Sequence, residues 1–93
     1  MTPEQQDKGF APICPDFVAE LRSDSDRLTK LRTKMKEYIA QGVRLAWMID
    51  PLKQAVEIYR PGREVETLKR PATLSGEDIL PGFVLDLKGI LFD

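Results

Sequence analysis

Cys14-Pro-Asp-Phe-Val-Ala-Glu-Leu-Arg-Ser23, with the lysine-rich segment that follows it, decides how this 93-residue chain folds. Asp16, Val18, Glu20 and Arg22 alternate with Phe17, Ala19 and Leu21. A strand over residues 16–22 therefore turns two acids and a base to one face and an apolar set to the other. The run Ser23-Asp-Ser-Asp26 comes next. Its side-chain oxygens can accept from the free N–H groups of a first helical turn, and Ser23 or Ser25 is the expected cap. Over residues 26–41, Leu28, Leu31, Met35, Tyr38 and Ile39 recur at helical spacing, a stripe roughly 100° wide that calls for a sheet beneath it. Asp26 stands four residues before Lys30, and Gly42 offers the left-handed conformation that closes helices.

Residues 44–49 read as a second strand, with Leu45, Trp47 and Ile49 on one face and Ala46 and Met48 on the other. Apolarity on both faces marks a strand covered from both sides, hence a central one. The intervening helix makes the first two strands parallel neighbours. Asp50-Pro-Leu-Lys53 has Pro where a type I turn wants it, and residues 54–59 then alternate Val56 and Ile58 against Ala55, Glu57 and Tyr59, giving a hairpin. Pro61-Gly62 leads into residues 64–68, whose alternating charges suit an outer strand where the sheet ends. A short strand over 83–87 and the apolar end Ile90, Leu91 and Phe92 complete the chain. The expectation is an α/β fold: strand–helix–strand followed by an antiparallel meander, one crossover helix on a mixed sheet. Residues 1–8 read as a flexible polar tail, and 9–93 as the domain, entered through an extended segment broken by Pro12 and Pro15.

A chain this short has a small core for its surface, so a partner chain is expected to complete its burial. Lys plus Arg number 14 and Asp plus Glu 15, for a net charge of −1, so any attraction to phosphate must be local. One cysteine excludes an intrachain disulfide, and the absence of histidine removes the usual zinc sets and every His-dependent triad. Metal chemistry here must rest on carboxylates. No apolar run reaches the length of about eighteen residues that a membrane helix needs, and residues 1–8 lack the apolar core of a signal peptide. A soluble cytoplasmic protein without a membrane partner is expected. A Gly-rich phosphate loop, a nucleophile elbow, a CxxC pair and an aromatic RNA platform are all absent from the sequence.

By pattern alone, Glu20 is a solvated strand carboxylate, a partner for Arg22, or a ligand for something positive at a groove. Asp16 shares its face but lies about 13 Å away by the strand rise, too far to share one metal ion with it directly. Lys34 sits between Leu31 and Tyr38 at the margin of the apolar stripe, with Lys30 and Gln41 on the same side. Its stem can lie over the core edge and bring the ammonium toward the sheet, or the side chain can stand in water. Trp47, Tyr38 and Met35 read as core, and Cys14, with no nearby base, as an inert thiol.

Taken in order, Pro15-Asp-Phe-Val-Ala-Glu-Leu-Arg-Ser23, Lys34-Met-Lys-Glu-Tyr38, Gly42-Val-Arg-Leu-Ala-Trp-Met-Ile-Asp-Pro51, Val56-Glu-Ile-Tyr-Arg60 and Leu74-Ser-Gly-Glu-Asp-Ile-Leu-Pro-Gly-Phe83 resemble the Uma-type restriction endonucleases. This is a bacterial family of the PD-(D/E)XK nuclease superfamily. The resemblance implies a restriction-endonuclease-like sheet, a DNA substrate and phosphodiester hydrolysis with Mg²⁺ or Mn²⁺. On it, Glu20 is the metal-binding acid of the VxE strand. Lys34, four residues before Tyr38, takes the part of the lysine that the superfamily usually places two residues after the acid, where this chain has Arg22. The carboxylate would fix a metal near the phosphate, the metal would acidify a water, and the ammonium would orient that water or neutralise charge. Arg22, always protonated, suits only the last role, and with Lys30 it is a candidate phosphate contact.

The family's other metal-binding aspartate lies upstream of this segment, and Asp16 does not correspond to it. The resemblance thus implies an N-terminally truncated domain, matching the C-terminal part of the family domain, with too few protein ligands for Mg²⁺. The chain is then a nuclease that is inactive by itself, or a non-enzymatic module that forms a homodimer or complements a separate half through an unpaired strand edge. DNA binding without catalysis is a third reading, disfavoured by the dispersed basic residues.

Overall fold

The computed structural model describes residues 15–91. In chain order these form β1 (Phe17–Leu21), α1 (Leu28–Ala40), β2 (Leu45–Asp50), β3 (Ala55–Tyr59), β4 (Glu66–Lys69), β5 (Thr73–Ser75) and β6 (Val84–Asp86). The expected tail over 1–8, the lead-in through Cys14, and Phe92 fall outside the described residues. No helix among those described is long and apolar enough to cross a membrane.

β1 and β2 run parallel, with Phe17 beside Leu45 and Leu21 beside Ile49, because α1 carries the chain back before β2 begins. β2, β3 and β4 follow as an antiparallel meander, giving the sheet order β1-β2-β3-β4. The two-faced apolarity of β2 has the expected result: every one of its residues is buried. Leu45, Trp47 and Ile49 join Val56 and Ile58 in a core completed by Leu74, Leu87 and Leu91. Ala46 and Met48 join Leu31, Met35, Val43 and Tyr59 beneath α1. Phe17 meets Trp47 edge-on at 4.8 Å, and Phe83 stacks on its other side at 6.3 Å. Each such side chain contributes about 1.5–3 kcal/mol by leaving water, so the sheet's stability is concentrated around β2.

The start of α1 differs from expectation. Its N-cap is Arg27, with no side-chain cap bond, rather than Ser23 or Ser25. The backbone N–H and hydroxyl of Ser23 both donate to Asp26 Oδ2, at 2.9 and 3.1 Å, and Asp26 N–H returns a bond to the Ser23 carbonyl. Short polar side chains take the nearest partners, so this run closes on itself as a turn before the helix begins. Those bonds hold the Asp26 carboxyl below its usual range. The other end is as expected: Gly42 adopts φ 113°, and the N–H groups of Gly42 and Val43 bond back to the carbonyls of Ile39 and Tyr38.

The end of the chain also departs from the single mixed sheet. β5 and β6 form a separate antiparallel hairpin that packs on the face of β2 opposite α1 through Leu74 and Leu87. β5 has three residues and one buried side chain, too short to display alternation. Arg60, just after β3, clamps the hairpin through Glu77, with Nη2 2.6 Å and Nε 3.1 Å from its carboxylate, and also reaches Glu66 at 3.1 Å.

The Arg60 bonds hold the Glu77 carboxyl below the usual carboxylate range. A carboxyl with a depressed folded-state pKa stabilises the fold above its unfolded value, and that contribution disappears as pH falls through the folded value. Glu77→Gln is therefore expected to cost about 1 kcal/mol near neutrality and to flatten the acid limb of stability. Urea denaturation of both proteins at neutral and acid pH checks this, and parallel pH profiles would refute it.

Candidate functional site

Glu20 lies on the α1 side of β1, level with Met48 of β2. Lys34 and Tyr38, four residues apart, share one flank of α1, and both reach this carboxylate. Lys34 Nζ is 3.2 Å from Glu20 Oε2, and the Tyr38 hydroxyl donates to the same oxygen at 2.6 Å. The ammonium also stands 5.9 Å from the centre of the Tyr38 ring. Among the described residues, both of these contacts fall on Oε2. The hydrogen bond and charge of Glu20 raise the Lys34 pKa, so the side chain stays an ammonium. The Tyr38 pKa is raised, first by its bond to Glu20 and then by burial, so it stays a phenol.

This cluster borders an open groove of about 360 Å³, where Lys30 and Arg27 join Lys34, opposed by Glu20 and Asp26. Lys30 thus lies beside the Glu20–Lys34 pair. Arg22 does not. Its Nη1 is 2.8 Å from Asp50 Oδ2, and its side chain is 14% exposed. Asp50 Oδ1 accepts from the N–H groups of Leu52 and Lys53 at 3.1 and 3.2 Å, so the pair pins together the C-terminal ends of β1 and β2 and the turn beyond them. Asp16 uses its carbonyl, which accepts from Arg44 and Leu45.

The sequence reading did not anticipate three of these contacts. Tyr38 is core in its ring, yet its hydroxyl serves the site. The Arg22–Asp50 pair follows from the observed parallel register, which continues to set 22 beside 50. On the other flank of α1, Arg32 grips Glu57 with Nε at 2.9 Å and Nη2 at 2.5 Å, while Tyr59 donates to Glu57 Oε1 at 2.7 Å. Burial, then the bond to Glu57, raises the Tyr59 pKa strongly. Arg32 and Glu57, with Asp50, Lys53 and Lys69, line a cavity of about 230 Å³.

The divalent metal implied by the resemblance can be tested against these residues. Among the described residues, no three Asp, Glu, Cys or His side chains converge to hold a metal ion. Mg²⁺ requires several oxygen ligands, and Glu20 stands here with an ammonium and a phenol, while Asp26 on the groove rim is bonded to Ser23. Residues 15–91 do not by themselves fit the ion.

Residues 2–88 match the sequence family described as "Uma2: Putative restriction endonuclease". The chain belongs to the Uma2 family. A crystal structure from Anabaena variabilis, described as a "putative nuclease belonging to DUF820", shares this fold at a TM-score of 0.74 and 27% identity. The match takes in 86% of this Uma2 chain and 45% of that one, so the chain spans less than half of its structural relative. No curated protein gives a significant match.

Tyr38→Phe removes one charge-assisted bond to Glu20 and should cost about 1 kcal/mol. Lys34→Met, at a solvent-facing pair, should leave stability unchanged within error. Denaturant midpoints measure both, and a large loss for Lys34→Met would mean that the ammonium is structural.

Proposed function

We propose that this chain carries part of a site for metal-dependent hydrolysis of DNA phosphodiesters in the cytoplasm, with Glu20 as its acid and Lys34 as its cation. One observation carries the reading: a carboxylate from β1 and an ammonium from α1 meet at 3.2 Å on the rim of an open groove, in a chain of a restriction endonuclease family. Lys34, kept protonated by its partner, is suited to holding a phosphate oxygen and offsetting charge that develops on it. Proton abstraction is the wrong task for it. Tyr38 is a positioning residue that fixes Glu20 Oε2. Lys30 adds a phosphate contact in the same groove, while Arg22, bound to Asp50, lends charge with little contact surface. Mg²⁺ or Mn²⁺ belongs to this reading once a second acid from outside residues 15–91 stands near Glu20 Oε1.

The test is nicking of supercoiled plasmid with Mg²⁺ or Mn²⁺ by the chain and by its Glu20→Ala and Lys34→Ala variants. Both substitutions are expected to abolish whatever cleavage the parent shows. Cleavage that survives Glu20→Ala removes Glu20 from the chemistry.

A second reading rests on a different observation. Among the described residues β1 has β2 as its one strand partner, and its other edge is open. Under this reading the chain is a self-associating module, a homodimer, or one that a separate chain complements. Light scattering should return a mass above that of the monomer, and a monomer at every concentration would reject self-association.

A further inference from the structure

The cavity across α1 from Glu20 is built in two rows on the sheet. Asp50 of β2 stands beside Ala55 of β3, and Ala55 beside Lys69 of β4, while Glu57 and Thr67 pair in the next row. Opposed residues share a face, and Glu57 is gripped by Arg32 of α1, so this is the helix side. Lys53 arrives from the turn between β2 and β3. Ala55, 8% exposed, is the one apolar residue in the lining, and its short side chain leaves the hollow open.

Three cations and two carboxylates surround this space. The carboxylates are already matched. Asp50 accepts from Arg22 and from two N–H groups of its own turn, and Glu57 from Arg32 and the Tyr59 hydroxyl. Lys53 and Lys69 have no carboxylate at ion-pairing distance among the described residues. Two ammonium charges are therefore left over, which disfavours a metal cation and favours an anion. The Thr67 hydroxyl and Arg32 Nη1 lie there too, and neither is taken by the bonds that fix Glu57.

We propose that this cavity is a phosphate site, taking a phosphate dianion that is either free or the end of a nucleic-acid strand. A volume of about 230 Å³ falls below the roughly 300–1,000 Å³ of pockets for organic ligands, yet holds several waters at ~30 Å³ each. It suits a small, partly hydrated ion. A phosphate monoester carries close to two charges near neutrality, the number the two lysines leave unmatched. Its oxygens can accept from donors that come from the helix, the turn and β4, whereas a carboxylate brings one charge and acceptors in one plane. Glu57 serves by holding the Arg32 guanidinium in place. The site is separate from the groove of Glu20 and Lys34: β1 and β4 are three strand spacings apart, about 14 Å, with α1 packed over the strands between them.

Isothermal titration calorimetry with inorganic phosphate tests this in the parent chain and three variants. Lys53→Gln with Lys69→Gln alters two exposed residues and should weaken binding by about tenfold per lysine. Ala55→Leu keeps every charge and fills the hollow, so it should abolish binding. Circular dichroism checks its fold, and Ala55→Val replaces it if leucine is not accommodated. Lys30→Gln with Lys34→Gln should leave the affinity within about twofold. Affinity should fall as pH drops through about 6, where the dianion takes up a proton. An oligonucleotide with and without a 5′-terminal phosphate identifies the source. A preference for the phosphorylated strand that Ala55→Leu removes assigns a strand end, and equal binding of both strands assigns free phosphate. A parent chain that does not bind phosphate overturns the site. Binding that survives in folded Ala55→Leu and Ala55→Val is attraction to surface lysines and overturns it as well. Binding lost in the Lys30 and Lys34 variant puts the ion in the Glu20 groove instead.

Discussion

Strand β2 buries all of its residues, and a strand apolar on both faces persists only with a layer above it, a layer below it and a strand on either side. Each of those demands is met by a different part of the chain. α1 supplies one layer and the β5–β6 hairpin the other, while β1 and β3 flank it. The polar groups that matter are carried on these covering elements. Glu20 is brought into position because β1 must lie beside β2, and Lys34 because α1 must lie over it.

One row across the sheet makes the consequence plain. Glu20, Met48 and Glu57 stand abreast on the helix side. Met48 is buried under α1, and on either side of it a carboxylate meets a cation from one flank of the helix and a tyrosine, Tyr38 of α1 for Glu20 and Tyr59 of β3 for Glu57. The two outer positions share a plan and differ in closure. Glu57 is gripped by two guanidinium nitrogens and buried, as expected of an ion pair whose desolvation is offset by extra bonds. Glu20 has a single ammonium contact and an open groove beside it. The same chemistry is structural on one side of the helix and accessible on the other.

How much of this was legible in the sequence depended on the range of the interaction. The stripe from Leu28 to Ile39 and the two-faced run of β2 are periodic signals that burial enforces, and both appear as read. The capping of α1 was misread because Ser23 and Ser25 satisfy their oxygens locally, a competition that composition does not resolve. β5 was invisible because one buried leucine carries no period. The pairing of Glu20 with Lys34 came from resemblance, since a lysine at the margin of an apolar stripe points to the sheet or to water with equal ease. Arg22 shows another limit: its partner Asp50 depends on the register of β1 against β2, which the expectation of parallel strands does not specify.

Trp47 is the only tryptophan in the chain, and it lies between Phe17 of β1 and Phe83 of the hairpin. Its indole N–H is buried without an acceptor among the described residues. The molecule therefore contains its own optical gauge at the joint between its two β layers. Loosening the hairpin would admit water to that one nitrogen and redden the emission, even while α1 and its side of the sheet stayed intact.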